Sequence, residues 1–113
     1  MSEYKLIRDG LVDLLTDKGK VITKVTDLNQ MEYWLGEKIV EEANEVAEVL
    51  KHETSAFLSK GQMEALVEEI ADVMEVIEGI KYHMSVTDKE IEEARQRKLR
   101  MYGGFRGSNL LRR

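Results

Sequence analysis

The sequence predicts an all-α domain, and three observations support this fold class. Apolar residues recur at helical spacing along most of the chain, no proline interrupts them, and charged residues make up 35% of the composition. Three segments also open with a capping box, in which a short polar residue precedes a glutamate or glutamine by three positions. A chain of 113 residues is long enough for one such domain but not for two. We therefore expect a single domain over residues 1–113, with a basic tail over about 103–113.

Four helices are expected, and glycines and capping residues set their ends. Gly19 follows the first helix, and the β-branched residues 21–25 after it favour an extended connector or a short strand. Residues 53–61 are expected to form a loop, and Gly103 and Gly104 stop the last helix. The third helix has a broad apolar face, which is typical of a helix buried on more than one side. The expected helices cover about residues 4–18, 28–51, 60–84 and 87–102.

Composition excludes several classes of protein. The chain has no cysteine, which excludes a disulfide scaffold and a thiolate metal site and suits a reducing compartment. No apolar run approaches the roughly 20 residues of a membrane span, and the charged N-terminus is unlike a secretory signal. We therefore expect a cytoplasmic protein that does not enter a membrane.

Charge is strongly segregated along the chain. Residues 27–93 carry five basic and eighteen acidic residues, a net charge of −13, whereas residues 94–113 carry seven basic and no acidic residues. This pattern fits complementarity between copies, a nucleic-acid tail, or a metal site with phosphate-binding arms. The acidic middle of the chain argues against a nucleic-acid interface. The basic tail could either bind phosphates or simply be solvated.

Carboxylates lie where the helical pattern calls for apolar residues. At about 100° per residue, Glu42 falls in the middle of the apolar arc of the second helix, with Glu45 and Lys38 at the edges of that arc. In the third helix Glu69 lies within the apolar arc and Asp72 beside it. Carboxylates next to a core cost free energy unless they are paired, protonated or bound to a metal ion. This placement is the main functional signal in the sequence.

These carboxylates form two pairs, because residues three apart on a helix are neighbours on its surface. Glu42 with Glu45, and Glu69 with Asp72, would together offer four hard oxygen ligands if the two helices run antiparallel. Such ligands select Mg²⁺ or Mn²⁺, which keep positions for water and for substrate phosphates. The pattern therefore favours hydrolysis of a phosphoanhydride. Glu41 is the candidate to deprotonate the attacking water, or to bind a second ion.

Less specific interpretations also exist for these residues. Any one carboxylate pair is more often an ordinary solvated helix face, but two pairs that both intrude on apolar arcs favour the metal site. A di-iron carboxylate bundle requires Glu-x-x-His, whereas Val49 and Ile80 precede the two histidines by three positions. Trp34 is either a partly buried core residue or a stacking platform for a base. Ordinary solvated positions are expected for Glu48, Glu53, Glu64, Glu75 and Glu78.

The carboxylate motif resembles the signature of the all-α nucleotide pyrophosphohydrolases. Lys38-x-x-Glu41-Glu42-x-x-Glu45, followed by Glu69-x-x-Asp72, is similar to the motif of a superfamily that includes MazG-like proteins, dimeric dUTPases and phosphoribosyl-ATP pyrophosphohydrolase. The resemblance covers nearly the whole chain. The segments 4–9 and 103–105 are similar to a small subgroup of predicted house-cleaning pyrophosphatases. Residues 10–12, Gly-Leu-Val, depart from that subgroup, which has a basic residue, an isoleucine and then proline there.

The resemblance implies a four-helix core that is usually completed by dimerisation. It also implies Mg²⁺-dependent cleavage of a nucleoside triphosphate between the α and β phosphates, giving the monophosphate and pyrophosphate. By position, Glu42, Glu45, Glu69 and Asp72 would bind the metal, and Glu41 would assist the water. The basic residues expected to contact phosphates are Lys5, Arg8, Lys38 and Lys98.

Three functions follow as hypotheses. The first is a Mg²⁺-dependent nucleoside triphosphate pyrophosphohydrolase, active as a homodimer or homotetramer and removing non-canonical nucleotides. The second is phosphoribosyl-ATP hydrolysis in histidine synthesis, and assays of both substrates with Mg²⁺ separate the two. The third is a non-enzymatic helical module whose acidic middle binds the basic tail of a neighbour. That module would not depend on metal and would dissociate at high salt.

Overall fold

Residues 4–52 and 57–113 are described in a computed structural model of the chain, and every regular element among them is helical. A 3₁₀ turn at Asp9–Leu11 leads into α1 (Val12–Asp17), which is followed by α2 (Leu28–Leu50), α3 (Lys60–Met84) and α4 (Asp88–Tyr102). The all-α class and the four helices are therefore confirmed. Four residues of the predicted loop, 53–56, lie outside the described part. Within that part, no helix has the length and apolarity needed to cross a membrane.

The first helix is shorter than the sequence predicts, because residues 4–8 form no regular secondary structure. Arg8 has φ −68° and ψ 146°, and α1 begins only at Val12. Three residues of extended chain span about 10 Å, roughly twice the rise of a helix of the same length. The extended form thus allows Lys5 and Arg8 to reach carboxylates on two different helices. The predicted helical start at Tyr4 is wrong because these tertiary contacts outweigh the local apolar spacing.

The end of α1 is where the sequence places it. Gly19 adopts φ +83°, and its N–H donates to the Thr16 carbonyl at 2.9 Å, while the Lys20 N–H donates to the Leu15 carbonyl at 3.0 Å. This pair of bonds is a Schellman motif, which requires the left-handed conformation that glycine adopts without strain. Residues 21–25 then form a connector that takes part in no strand within the described chain.

Caps define the starts of the three longer helices. Two capping boxes are complete. In each, the side chain of the capping residue accepts from the backbone N–H three residues later, and the side chain of that later residue accepts from the backbone N–H of the capping residue. Asp27 caps α2 differently, since its carboxylate accepts from the Asn29 N–H, two residues away, at 2.9 Å. The complete boxes are Ser59 with Gln62 and Thr87 with Glu90.

α2 and α3 pack along each other as an antiparallel pair. The Leu35 side chain lies against Gly79, close enough that a Cβ there would contact it at 3.6 Å. Ten residues later on α2, Glu45 lies beside Glu69, ten residues earlier on α3. In the described residues these are the only two of the four helices that pack together. One chain therefore forms a helical hairpin with two appended helices rather than a closed four-helix core.

A tight corner at Ser85 connects the end of α3 to α4. Ser85 takes a left-handed conformation, with φ 57°, and the Lys81 ammonium pairs with Glu78 at 2.7 Å and with Asp88 at the start of α4. Beyond this corner α4 extends away from the hairpin, and residues 103–113 follow it without regular structure. Gly103, with φ +76°, ends the helix as predicted.

The single chain encloses very little of its apolar surface. In the described residues Leu35 is the one buried hydrophobic residue. The chain exposes 10217 Å², whereas a compact monomer of this mass exposes about 6,300 Å². Its radius of gyration is 17.6 Å, against about 13 Å for a compact domain of this length. The broad apolar face of α3 is covered by α2 on one side only.

Candidate metal centre

Four carboxylates from α2 and α3 converge at the middle of the hairpin. Glu42 and Glu45 come from one helix, and Glu69 and Asp72 from the other, each pair three residues apart. One carboxylate oxygen of each lies within 4.8 Å of one oxygen of every other. The antiparallel packing and the helical period together produce this arrangement. The structure thus brings together the four residues that the sequence predicts as metal ligands.

Two oxygens of this cluster are buried without a hydrogen-bond partner in the described chain. They are Oε2 of Glu42 and Oε2 of Glu69. Glu42 as a whole is only 7% exposed, and it is the one charged residue that is buried in that part of the chain. Buried carboxylate oxygens without a partner are rare, because desolvation is costly unless a cation or donor compensates it. The donor set, four hard oxygens with two unsatisfied, fits Mg²⁺ or Mn²⁺.

The crowding of carboxylates changes their proton affinity. Burial raises the pKa of Glu42, with a further contribution from Glu45, although the neighbouring Lys38 ammonium opposes both. The pKa of Glu45 is raised first by its hydrogen bond with the Glu69 carboxyl and then by burial. Both shifts favour the protonated form of Glu42 and of Glu45 when no cation is bound. A divalent cation would oppose both shifts, because it favours the charged form of its ligands.

Three basic side chains surround the carboxylates. Lys38 Nζ lies 3.1 Å from Glu42 Oε1 and 3.5 Å from Glu41 Oε2. Arg8 Nη2 donates to Asp72 Oδ1 at 2.7 Å, and Lys5 Nζ lies 3.9 Å from Glu41 Oε1. The N-terminal segment therefore crosses the cluster and contacts both helices. Of the four basic residues that the resemblance implies, these three are at the site.

Lys98 is the fourth, and its own chain does not bring it to the cluster. It belongs to α4, which packs against neither helix that carries the carboxylates in the described structure. Sequence spacing alone cannot detect this, because the direction of α4 depends on the Lys81–Asp88 corner.

Glu41 occupies the edge of the site rather than its centre. On the helical wheel of α2 it lies about 100° from Glu42 and about 40° from Glu45. Its side chain is 35% exposed and faces the ammonium groups of Lys38 and Lys5. At this position Glu41 contacts solvent and is not one of the four candidate metal ligands. Both conditions suit a general base that deprotonates the attacking water.

Aromatic side chains lie beside the site. Trp34, one turn before Lys38, is half-buried and contacts Tyr4 edge to face, with ring centroids 6.2 Å apart. Tyr33 also contacts Trp34 edge to face, with ring centroids 5.0 Å apart. Neither tyrosine is among the sequence predictions, although Tyr33 adjoins Trp34 and Tyr4 adjoins Lys5. Both of the alternatives for Trp34 are compatible with this half-buried position.

Comparison with family models, with curated proteins and with solved structures finds no match to this chain. The resemblance to the all-α pyrophosphohydrolases therefore depends on the motif residues themselves.

Proposed function

We propose that the chain is a Mg²⁺-dependent nucleoside triphosphate pyrophosphohydrolase. The observation that carries the proposal is the convergence of Glu42, Glu45, Glu69 and Asp72 within 4.8 Å, with unsatisfied oxygens on two of them. The reaction would add water to a phosphorus at the α,β-phosphoanhydride, break the bridging P–O bond and release the monophosphate and pyrophosphate. Non-canonical nucleotides are the proposed substrates, by resemblance to the house-cleaning subgroup.

The four carboxylates would hold the ion, and a bound Mg²⁺ would supply charge neutralisation on the phosphates. Glu42 is fully buried and Asp72 is half-buried. The solvent-facing side of the cluster, near Asp72 and Arg8, is therefore the proposed entry for phosphates. Excluding water from Glu42 strengthens its interaction with any cation at the site.

The chain's own residues account for the remaining parts of the reaction. Glu41 would accept the proton of the attacking water, a role worth roughly 10²–10⁴ in rate for a general base. Lys5, Arg8 and Lys38 would contact phosphate oxygens. In the metal-free protein Arg8 pairs with Asp72 and Lys38 with Glu42, so a cation at the cluster would leave these two basic groups available for the phosphates. Trp34, flanked by Tyr4 and Tyr33, is the proposed stacking surface for the base.

The active form is proposed to be a homodimer or homotetramer. The support is the surface area, which exceeds that of a compact monomer of this mass by roughly 3,900 Å². This excess is larger than one standard interface covers, so we expect a large interface, or more than one interface per chain. Light scattering should give at least twice 13.0 kDa at micromolar concentration, and a mass of one chain would contradict this part.

The test of the reaction is pyrophosphate release from a panel of canonical and damaged nucleoside triphosphates, with Mg²⁺ or with chelator. We expect release that chelator abolishes. Glu42→Gln should reduce it by at least 100-fold, as expected when a metal ligand is lost. Glu48→Gln is the matched control, because Glu48 is exposed on the same helix, and it should retain the wild-type rate.

The outcomes separate the alternatives. Release that persists in chelator, or full activity in Glu42→Gln, contradicts the metal assignment. If no triphosphate is hydrolysed but phosphoribosyl-ATP is, the second hypothesis is correct. If neither is hydrolysed and the oligomer dissociates at high salt, the non-enzymatic module is favoured.

A further inference from the structure

The N-terminal segment crosses the helical hairpin beside the carboxylate cluster, and we call residues 4–8 the N-terminal strap. The two ends of the strap contact different helices. At one end Tyr4 meets Trp34 of α2 edge to face, with ring centroids 6.2 Å apart. At the other end Arg8 Nη2 donates to Asp72 Oδ1 of α3 at 2.7 Å. The strap therefore joins the proposed stacking surface to the candidate metal centre.

The helical period of α2 explains how so short a segment reaches both places. Trp34 and Glu41 are seven residues apart, which is almost two turns, so both lie on one side of α2, about 10 Å apart along its axis. Lys5 Nζ lies 3.9 Å from Glu41 Oε1, so the strap follows this side of α2 before it crosses to α3. One segment thus contacts the indole, the candidate base and a candidate metal ligand.

The side chains at the two ends resemble in chemistry the proposed ligands of the site. An aromatic ring against Trp34 is what a nucleobase would supply. A positive charge on Asp72, one of the four clustered carboxylates, is what a metal ion would supply. The metal-free chain therefore fills, with Tyr4 and Arg8, two positions that the proposed substrate complex needs.

The polar contacts of the strap are of a kind that a divalent cation can replace. The Arg8 and Lys5 side chains are both more than half exposed, and an exposed ion pair changes an equilibrium by only about 1.4- to fivefold. A cation at the cluster would contact several oxygens at once, whereas Arg8 reaches one. Between the two ends Leu6 and Ile7 are half-buried, so the strap is a short packed segment and a shift at Arg8 is transmitted to Tyr4.

We propose that the N-terminal strap is an autoinhibitory contact that metal binding releases. A cation at the carboxylate cluster displaces Arg8 from Asp72, the strap shifts, and Tyr4 leaves Trp34 to the base of the substrate. This inference rests on the proposed function, because it uses the same metal site. The coupling is reciprocal, so a change that weakens the contact of Tyr4 with Trp34 should also tighten metal binding.

The fluorescence of Trp34, the single tryptophan of the chain, tests the release of the strap. Mg²⁺ added to the metal-free full chain should shift the emission to longer wavelength and increase quenching by acrylamide, because the Tyr4 ring leaves the indole. Tyr4→Ala should show the shifted emission without metal and respond little to Mg²⁺. A response as large in Tyr4→Ala as in the wild type would mean that Mg²⁺ acts on the indole without the strap, and would overturn the proposal.

The affinity for Mn²⁺, measured by electron paramagnetic resonance, tests the coupling between the two ends. Tyr4→Ala should tighten Mn²⁺ binding by about twofold or more, the factor that corresponds to an edge-to-face aromatic pair. Tyr33→Ala is the matched control, because Tyr33 also contacts Trp34 edge to face, at 5.0 Å, but belongs to α2. It should leave the Mn²⁺ affinity unchanged. Equal affinity in Tyr4→Ala and the wild type, or equal tightening in both variants, contradicts the coupling.

These measurements separate the strap from the proposed function. If Mn²⁺ binds but Mg²⁺ leaves the emission of Trp34 unchanged, the strap proposal is wrong and the metal centre stands. If the folded wild type binds no Mn²⁺, both are wrong. Neither readout uses turnover, so a strap that metal releases in a chain without pyrophosphate release contradicts the proposed function and supports this inference.

Discussion

Replacing Glu42 by glutamine should have opposite effects on stability with and without metal. Two unit charges 4.8 Å apart repel by about 3–4 kcal/mol at an effective dielectric constant of about 20. The Lys38 ammonium, 3.1 Å from Glu42 Oε1, opposes this repulsion with an attraction of about 5 kcal/mol on the same scale. Burial and the carboxylates prevail, because the pKa of Glu42 is raised. We therefore expect Glu42→Gln to stabilise the metal-free protein by on the order of 1 kcal/mol.

Saturating metal should reverse the order of the two proteins. At a metal concentration 100 times Kd, the wild type gains about 2.7 kcal/mol by mass action, whereas the variant lacks one ligand and gains less. Thermal unfolding in chelator and in excess Mg²⁺ measures both effects, and 1 kcal/mol corresponds to about 4 °C in Tm for a chain of this size. Glu48→Gln should behave as the wild type in both conditions. The reasoning is refuted if Glu42→Gln lowers Tm in chelator, or if Mg²⁺ raises both melting temperatures equally.

Three further outcomes are expected. Arg8→Gln should tighten Mn²⁺ binding in calorimetry, because the ion no longer competes with the half-exposed ion pair between Arg8 and Asp72. Such a pair is worth roughly 0.2–1 kcal/mol, so we expect about 1.4- to fivefold tighter binding. Unchanged or weaker binding would contradict this. The stabilisation by Glu42→Gln should vanish as pH falls below about 4.5, because Glu42 is then protonated in both the folded and the unfolded state. The stabilisation should emerge as pH rises through the raised pKa of Glu42 in the folded state. A pH-independent difference in Tm would argue against the raised pKa. Ser59→Ala should cost about 1 kcal/mol in denaturant unfolding through loss of the capping box at α3, and a change under 0.3 kcal/mol would show that the cap contributes little.

Local signals explain why most helix ends were predictable. Caps such as Ser59 and Thr87 act on the next three residues, so they are visible in the sequence without knowledge of the fold. The convergence of the carboxylates was also predictable, because the helical period and antiparallel packing of two neighbouring helices are sufficient to produce it.

Long-range contacts account for the predictions that were wrong or could not be made. The start of the first helix is wrong because Arg8 binds Asp72, 64 residues away, and local apolar spacing carries no information about that contact. The same limit applies to Tyr4 against Trp34. The direction of α4 depends on the turn at Ser85, where Lys81 pairs with Asp88, so periodicity predicts the helix but not whether it packs against α3.

Titration of the metal-free wild type with Mn²⁺, followed by electron paramagnetic resonance, tests the central claim most directly. The four carboxylates should bind at least one Mn²⁺ per chain, and Mg²⁺ should displace it. Glu42→Gln should lose this binding, and Glu48→Gln should retain it. If the folded wild type leaves Mn²⁺ free at millimolar concentration, or if both variants bind it equally, the carboxylate cluster is not the metal centre proposed here.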